Sequence, residues 1–147
     1  DTKQEEAIER GNLVHLVLSK IKTIEDVDFA FNDLLVSGDV TTDNLDELKV
    51  LVLAVIKHPK LNTYFQDNYT IYNERDIITS TGLIIRPDRL NINSKNEAII
   101  IDYKTGEQNP FHGVQLADYE FVLNQMSLTV SHKILVYIND TIDIVEV

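Results

Sequence analysis

Asp88 and Asp102, with Lys104 two residues beyond the second, are side chains whose types and spacing could do chemistry. Paired carboxylates can hold a hard divalent cation such as Mg²⁺ or Mn²⁺, and an ammonium beside them can orient a water and steady negative charge. Together they would suit hydrolysis of a phosphodiester. Asp102 and Lys104 end the run Ala98-Ile99-Ile100-Ile101-Asp102-Tyr103-Lys104, whose β-branched residues predict a buried strand. Side chains alternate along a strand, so Asp102 and Lys104 share one face, which is the physical reason for a D-x-K spacing. Asp88 is expected to close a preceding strand over residues 83–88, and the polar segment 91–96 to form the hairpin loop that brings the aspartates together. Pro87 cannot donate to a sheet ladder, which predicts a bulge or an edge position beside Asp88.

Each candidate also has an ordinary explanation. Asp88 could be a turn aspartate paired with Arg86 or Arg89, and Lys104 a structural partner of Asp102. Asp102 is harder to explain that way, because a carboxylate directly after three isoleucines is costly unless a charge or a metal satisfies it. The backbone carbonyl of Tyr103 lies between the two key residues and could complete a metal shell. Gln115 and Tyr119 are four apart on a predicted helix and share a face, where helix packing and a surface amide would account for them. His15 on the first helix is ordinarily read as a partly buried, hydrogen-bonded side chain. Glu74 is read chiefly as a solvent-facing charge, with a supporting role near the site as the second choice. His58, His112 and His132 lack partners at a useful spacing, and no chemistry is assigned to them.

The elements that must position these groups divide the chain into a helical first part and a strand-rich second part. Apolar residues at three- and four-residue spacing predict helices over about 2–21, from Thr23 to Gly38, and from Thr42 or Asp43 to just before Pro59. A short helical turn is expected at 61–65. Strands are expected at 69–78, 83–90 and 98–103, then a helix at 112–126 and closing strands at 133–138 and 142–147. Helices, a three-strand meander, a crossover helix and a return strand make an α/β or α+β sandwich.

With 147 residues, 44% of them hydrophobic and 25% charged, the chain suits one globular domain, with a helical part at about 1–66 and a sheet-containing core at about 67–147. No run is long enough to span a bilayer, nothing resembles a signal peptide, and a cytoplasmic location is expected. The absence of cysteine excludes disulfides and a four-cysteine iron–sulfur clamp. Thirteen basic against twenty-four acidic residues give a net charge of −11, whereas a module that grips nucleic acid unaided usually shows a basic stripe. Either neighbouring parts supply that grip, or the chain binds nucleic acid weakly.

Four pieces in order, Gly11-Asn12-Leu13-Val14-His15, Arg86-Pro87-Asp88-Arg89, Ile101-Asp102-Tyr103-Lys104-Thr105-Gly106 and Gln115-Leu116-Ala117-Asp118-Tyr119, resemble the RecB-type branch of the PD-(D/E)XK nucleases. That branch includes the nuclease domain at the C-terminal end of UvrD/Rep-like helicases, such as the exonuclease V beta subunit. The resemblance implies a restriction-endonuclease-like core that cleaves DNA with Mg²⁺ or Mn²⁺. It implies Asp88, Asp102 and Lys104 as catalytic, His15 as an extra metal ligand beside Asp88, Asp102 and the Tyr103 carbonyl, and the Gln115–Tyr119 pair near the lysine or the DNA backbone. DNA and a helicase motor, in the same protein or associated with it, are the implied partners. The chain begins at Asp and holds no phosphate-binding G-x-x-x-x-G-K-[ST] loop, so it reads as an excised domain whose motor lies elsewhere. The competing expectation is a catalytically silent module of the same fold that binds DNA or acts as a scaffold.

Overall fold

The isoleucine run becomes β5 (Glu97–Lys104), the middle strand of a five-stranded mixed sheet. Both of its faces are covered, which explains why it reads as an unbroken apolar segment. Ile99, Ile101 and Tyr103 pack toward α1 (Thr2–Leu18), α2 (Val27–Ser37) and α3 (Leu45–Ile56), while Ala98 and Ile100 pack toward α4 (Pro110–Gln125). Ile100 and Ile101 are fully buried, and each such side chain contributes about 1.5–3 kcal/mol by leaving water. The coordinates are a computed structural model that describes residues 2–147.

The sheet order is β1 (Thr70–Asn73), β4 (Arg89–Ile92), β5, β6 (Thr129–Ile138), β7 (Ile142–Glu146). β1, β4 and β5 are antiparallel neighbours, α4 carries the chain over to β6 parallel to β5, and β7 returns antiparallel along the edge. This is the mixed α/β architecture that the sequence pattern predicts, and it agrees with the restriction-endonuclease-like core that the resemblance implies. Among the described residues no helix is long and apolar enough to cross a membrane.

The expected meander is interrupted. The strands predicted over 69–78 and 83–90 each split, and their inner halves, β2 (Ile77–Ile78) and β3 (Ile84–Ile85), pair only with each other as a separate hairpin. Pro87 supplies no N–H to the ladder, and Glu74 turns through a left-handed backbone, φ 48°, so the chain leaves the main sheet after Asn73 and rejoins it at Arg89. Asp88 therefore precedes β4 and does not close a strand. Asn91, expected in the hairpin loop, lies within β4, and the turn itself occupies 93–96.

Helix ends shift for local reasons. α1 stops at Leu18, not Ile21, through a tightened last turn. α3 starts after Asn44, two residues past the first expected cap; Asn44 makes no side-chain cap bond to the helix, and its Oδ1 accepts the Thr41 N–H of the preceding turn at 2.9 Å. α4 starts at Pro110, earlier than expected, because Asn109 accepts the Phe111 N–H at 2.9 Å and proline is at home in a first helical turn. Gly38 ends α2 with φ 85°, as its type predicts.

Gly11 is required by packing. A Cβ there would lie 2.1 Å from Thr105 Cγ2 and 3.2 Å from Thr105 Cβ, so α1 can cross the end of β5 only without a side chain at this position. Gly11→Ala is expected to destabilise by about 1–3 kcal/mol through overpacking, despite alanine's better helix propensity. Adding Thr105→Ala should restore most of the loss in a urea titration. A single Gly11→Ala as stable as the parent would show that the crossing is not tight.

Candidate active site

The site forms at the end of the sheet where the chain rejoins it. Asp88, immediately before β4, faces Asp102 on β5, and the two are joined through backbone. The Asp88 N–H donates to Asp102 Oδ1 at 2.8 Å, and the Tyr103 N–H donates to Asp88 Oδ2 at 2.8 Å. Each carboxylate is thus oriented by a backbone N–H of the other segment and neither depends on a flexible partner. The Glu74 N–H donates to the Asp88 carbonyl at 2.9 Å, which docks the end of β1 onto the same corner.

From the opposite layer, α1 presents His15. Its ring packs edge-on against Tyr103, with centroids 5.7 Å apart, and its Nε2 lies 3.1 Å from Asp88 Oδ1 and against Glu74 Oε1. His15, Glu74 and Asp88 each offer a ligand atom within 4.8 Å of the others. Nε2 is buried and makes no well-formed hydrogen bond among the described residues. A ring nitrogen aimed at two carboxylate oxygens needs either a proton or a cation between them, and this one nitrogen and two oxygen donors suit a hard divalent ion such as Mn²⁺. A cleft of about 230 Å³ borders the cluster, lined by Gly11, Asn12, His15, Tyr103, Lys104 and Thr105.

Asp102 stands just outside this closest group. It is 2% exposed, with Oδ2 3.7 Å from Lys104 Nζ. The shorter contact of Lys104 is to Gln115 Oε1 on α4, at 2.7 Å. Gln115 Nε2 in turn donates to the Tyr119 hydroxyl at 3.0 Å, which donates to the Arg86 carbonyl at 3.4 Å. The ammonium is therefore positioned by a neutral amide, and its charge stays available beside the acidic pair. Tyr103 meets this corner through its N–H and its ring. The fully buried Tyr103 hydroxyl, raised in pKa mainly by burial, has no hydrogen-bond partner among the described residues.

The structure brings His15, Asp88, Asp102, Lys104, Gln115 and Tyr119 to one corner. It also corrects the reading of Glu74, which is not a solvent-facing charge but part of the closest donor group, with a side chain 28% exposed. The sequence held only a weak signal for it, an acidic residue between a strand and a hairpin. The pairing of Asp88 with a neighbouring arginine is not seen. Arg86 turns to Glu74 and Asp76, and Arg89 points into the opposite layer.

Concentrated negative charge perturbs the titrating groups. The Asp88 carboxylate, 3.1 Å from Nε2, raises the His15 pKa against the opposing effect of burial, with Glu74 and Asp102 adding to the rise. Burial, then the charge of Asp88, pushes Asp102 up to about 6 from 3.8. Both folded-state values lie above the unfolded ones, so both groups favour the folded state in acid and lose that contribution as pH rises. For Asp102 that loss falls between about pH 4 and pH 6.

Asp102→Asn keeps the oxygen that accepts the Asp88 N–H and removes the buried charge. In chelator, its stability relative to the parent should therefore grow as pH rises from 4 to 8. Parallel stability curves across that range would contradict the assigned charge burden. Glu74→Gln should weaken Mn²⁺ binding by about tenfold or more in calorimetry, as loss of an anionic ligand requires. Unchanged Mn²⁺ affinity would remove Glu74 from the group.

A family model of the PD-(D/E)XK nuclease superfamily matches residues 1–141. No curated protein matches the chain. Among solved structures, the crystal structure of SSO0001 is similar at 21% identity, over 93% of this chain and 65% of that one, with a TM-score of 0.38. The chain thus spans less than two thirds of the length of that protein. Because the family model extends over nearly all of the sequence and through every element that builds the corner, the chain belongs to the PD-(D/E)XK nuclease superfamily.

Proposed function

We propose that this chain is a Mg²⁺- or Mn²⁺-dependent deoxyribonuclease domain of the RecB type, acting on DNA delivered by an attached or associated UvrD/Rep-like helicase motor in DNA repair or recombination. The observation that carries the reading is the convergence of His15, Glu74 and Asp88 beside an Asp102–Lys104 pair fixed from α4. His15, Glu74 and Asp88 would hold the cation, with Asp102 and the Tyr103 carbonyl as further ligands. Such a cation supplies Lewis-acid stabilisation of the charge that builds on phosphate and acidifies a water.

The chain's own residues do the rest. Lys104, held by Gln115, orients the attacking water and offers its ammonium to the phosphate oxygens as the new O–P bond forms and the leaving P–O bond breaks. Asp102, with Oδ2 3.7 Å from that ammonium, balances its charge. The Gln115–Tyr119 pair, tied to the Arg86 carbonyl, fixes the distance between α4 and the segment that carries Asp88. His15 must be neutral to bind, so activity falls in acid as its raised pKa is crossed.

The net charge of −11 favours a second reading, a silent module that scaffolds a helicase complex. The two part on one assay, metal-dependent cleavage of linear DNA by the full-length protein. Asp102→Ala should abolish cleavage and Lys104→Ala should lower kcat by about a hundredfold or more, with DNA binding little changed, because both act mainly in the transition state. Equal cleavage by the parent and Asp102→Ala would place any nuclease activity elsewhere. No cleavage by the parent would leave the silent module.

A further inference from the structure

The rim of the site carries a cation that this chemistry does not use. Arg86, two residues before Asp88, holds its guanidinium 3.8 Å from Glu74 Oε2 and 3.9 Å from Asp76 Oδ1, with its side chain 58% exposed. A locked arginine–carboxylate fork closes to about 2.8 Å, so this guanidinium is attracted to the acidic rim without being hydrogen-bonded to it. Its backbone, by contrast, is held. The Arg86 carbonyl accepts the Tyr119 hydroxyl, and Pro87 fixes the dihedral that follows. The arrangement is a loosely paired side chain on an anchored residue. Lys104 is placed differently, being largely buried and bonded to Gln115.

Glu74 faces two ways. One oxygen lies against His15 Nε2 inside the donor group, and the other is the oxygen nearest Arg86. The same carboxylate would therefore serve either a cation in the cluster or the arginine at the rim. Resting on the metal-dependent reading above, we propose that Arg86 is a phosphate clamp for the DNA strand, released from Glu74 when Glu74 engages a divalent ion. A planar guanidinium suits a phosphate bidentately, and its position beside Asp88 puts it next to the strand being cut. The coupling also accounts for how so acidic a chain could hold a polyanion. Without the ion, Arg86 is occupied by carboxylates, and with it one exposed cation turns to the backbone phosphate.

The test uses the full-length protein carrying Lys104→Ala, so that DNA stays intact. Mn²⁺ binding is followed by calorimetry, and binding of a fluorescent single-stranded oligonucleotide by anisotropy in Mn²⁺ or in EDTA. Arg86→Gln is expected to tighten Mn²⁺ by about threefold, since a competing cation is gone, and to lower DNA affinity in Mn²⁺ by about tenfold while changing it less than about twofold in EDTA. Arg86→Lys should recover part of the DNA affinity, as a point charge without the fork. If Arg86 merely braced the hairpin, its loss would loosen Glu74 and weaken Mn²⁺, the opposite sign. Mn²⁺ affinity that is unchanged or weaker, or DNA binding that gains as much from Mn²⁺ without Arg86 as with it, would overturn the clamp and leave the metal site standing. No Mn²⁺ binding by the Arg86-containing protein would overturn both and locate the failure in the metal reading.

Discussion

The arrangement depends on the burial of Arg89. Its side chain is fully buried, and burial lowers its pKa, yet a guanidinium stays charged at any working pH and must be solvated by the protein. Among the described residues no carboxylate does this. Arg89 donates to the Ile21, Lys22 and Tyr64 carbonyls at 2.8, 2.6 and 2.8 Å, and its plane lies over Phe65, 3.9 Å from the ring centre. Ile21 and Lys22 follow the C-terminal end of α1, where the helix dipole favours a cation, and the Ile21 carbonyl also accepts from Asn73 Nδ2 at 2.9 Å. Stripping a buried charge of its partners costs about 3–5 kcal/mol, enough to hold β4, the end of α1 and the 62–65 turn in one relation. His15 lies on the last turn of that helix and Asp88 immediately precedes Arg89, so the distance between the two is set on the far side of the strand.

On the near side the balance is reversed. Three carboxylates and an imidazole crowd one corner, one of the carboxylates is nearly excluded from water, and Glu74 adopts a left-handed backbone that non-glycine residues rarely take. None of this favours folding on its own. The fold tolerates it because β5 is buried on both faces and the backbone N–H groups of Asp88 and Tyr103 are spent on the carboxylates. A corner that is electrostatically costly when empty of positive charge is one whose affinity for a cation is high, and the two properties have the same origin.

The acidity of the chain bears on how DNA would reach this corner. Of the arginines near it, one is consumed in the interior and another leans on acidic side chains, so the proposed activity relies on charge brought by the metal and by a partner. That division accords with the proposal of a nuclease domain fed by a motor, in which grip and chemistry would sit on different modules.

Much of this was legible in local pattern. The isoleucine run predicted β5, period two placed Asp102 and Lys104 on one face, the four-residue step placed Gln115 and Tyr119 together, and Gly38 and Pro59 marked where α2 and α3 end. Such signals are read from neighbours a few residues apart, and strand and helix geometry makes them dependable. The sequence could not show that Arg89 goes inside, because its partners come from 25, 67 and 68 residues away. Nor could it show that Glu74 belongs to the donor group, that Pro87 and Glu74 divide two strands into four, or that Gly11 exists for Thr105. Periodicity tells which side of an element a residue occupies. Which charge is buried, and which carboxylates meet, is decided only when distant carbonyls and strand ends close on the same corner.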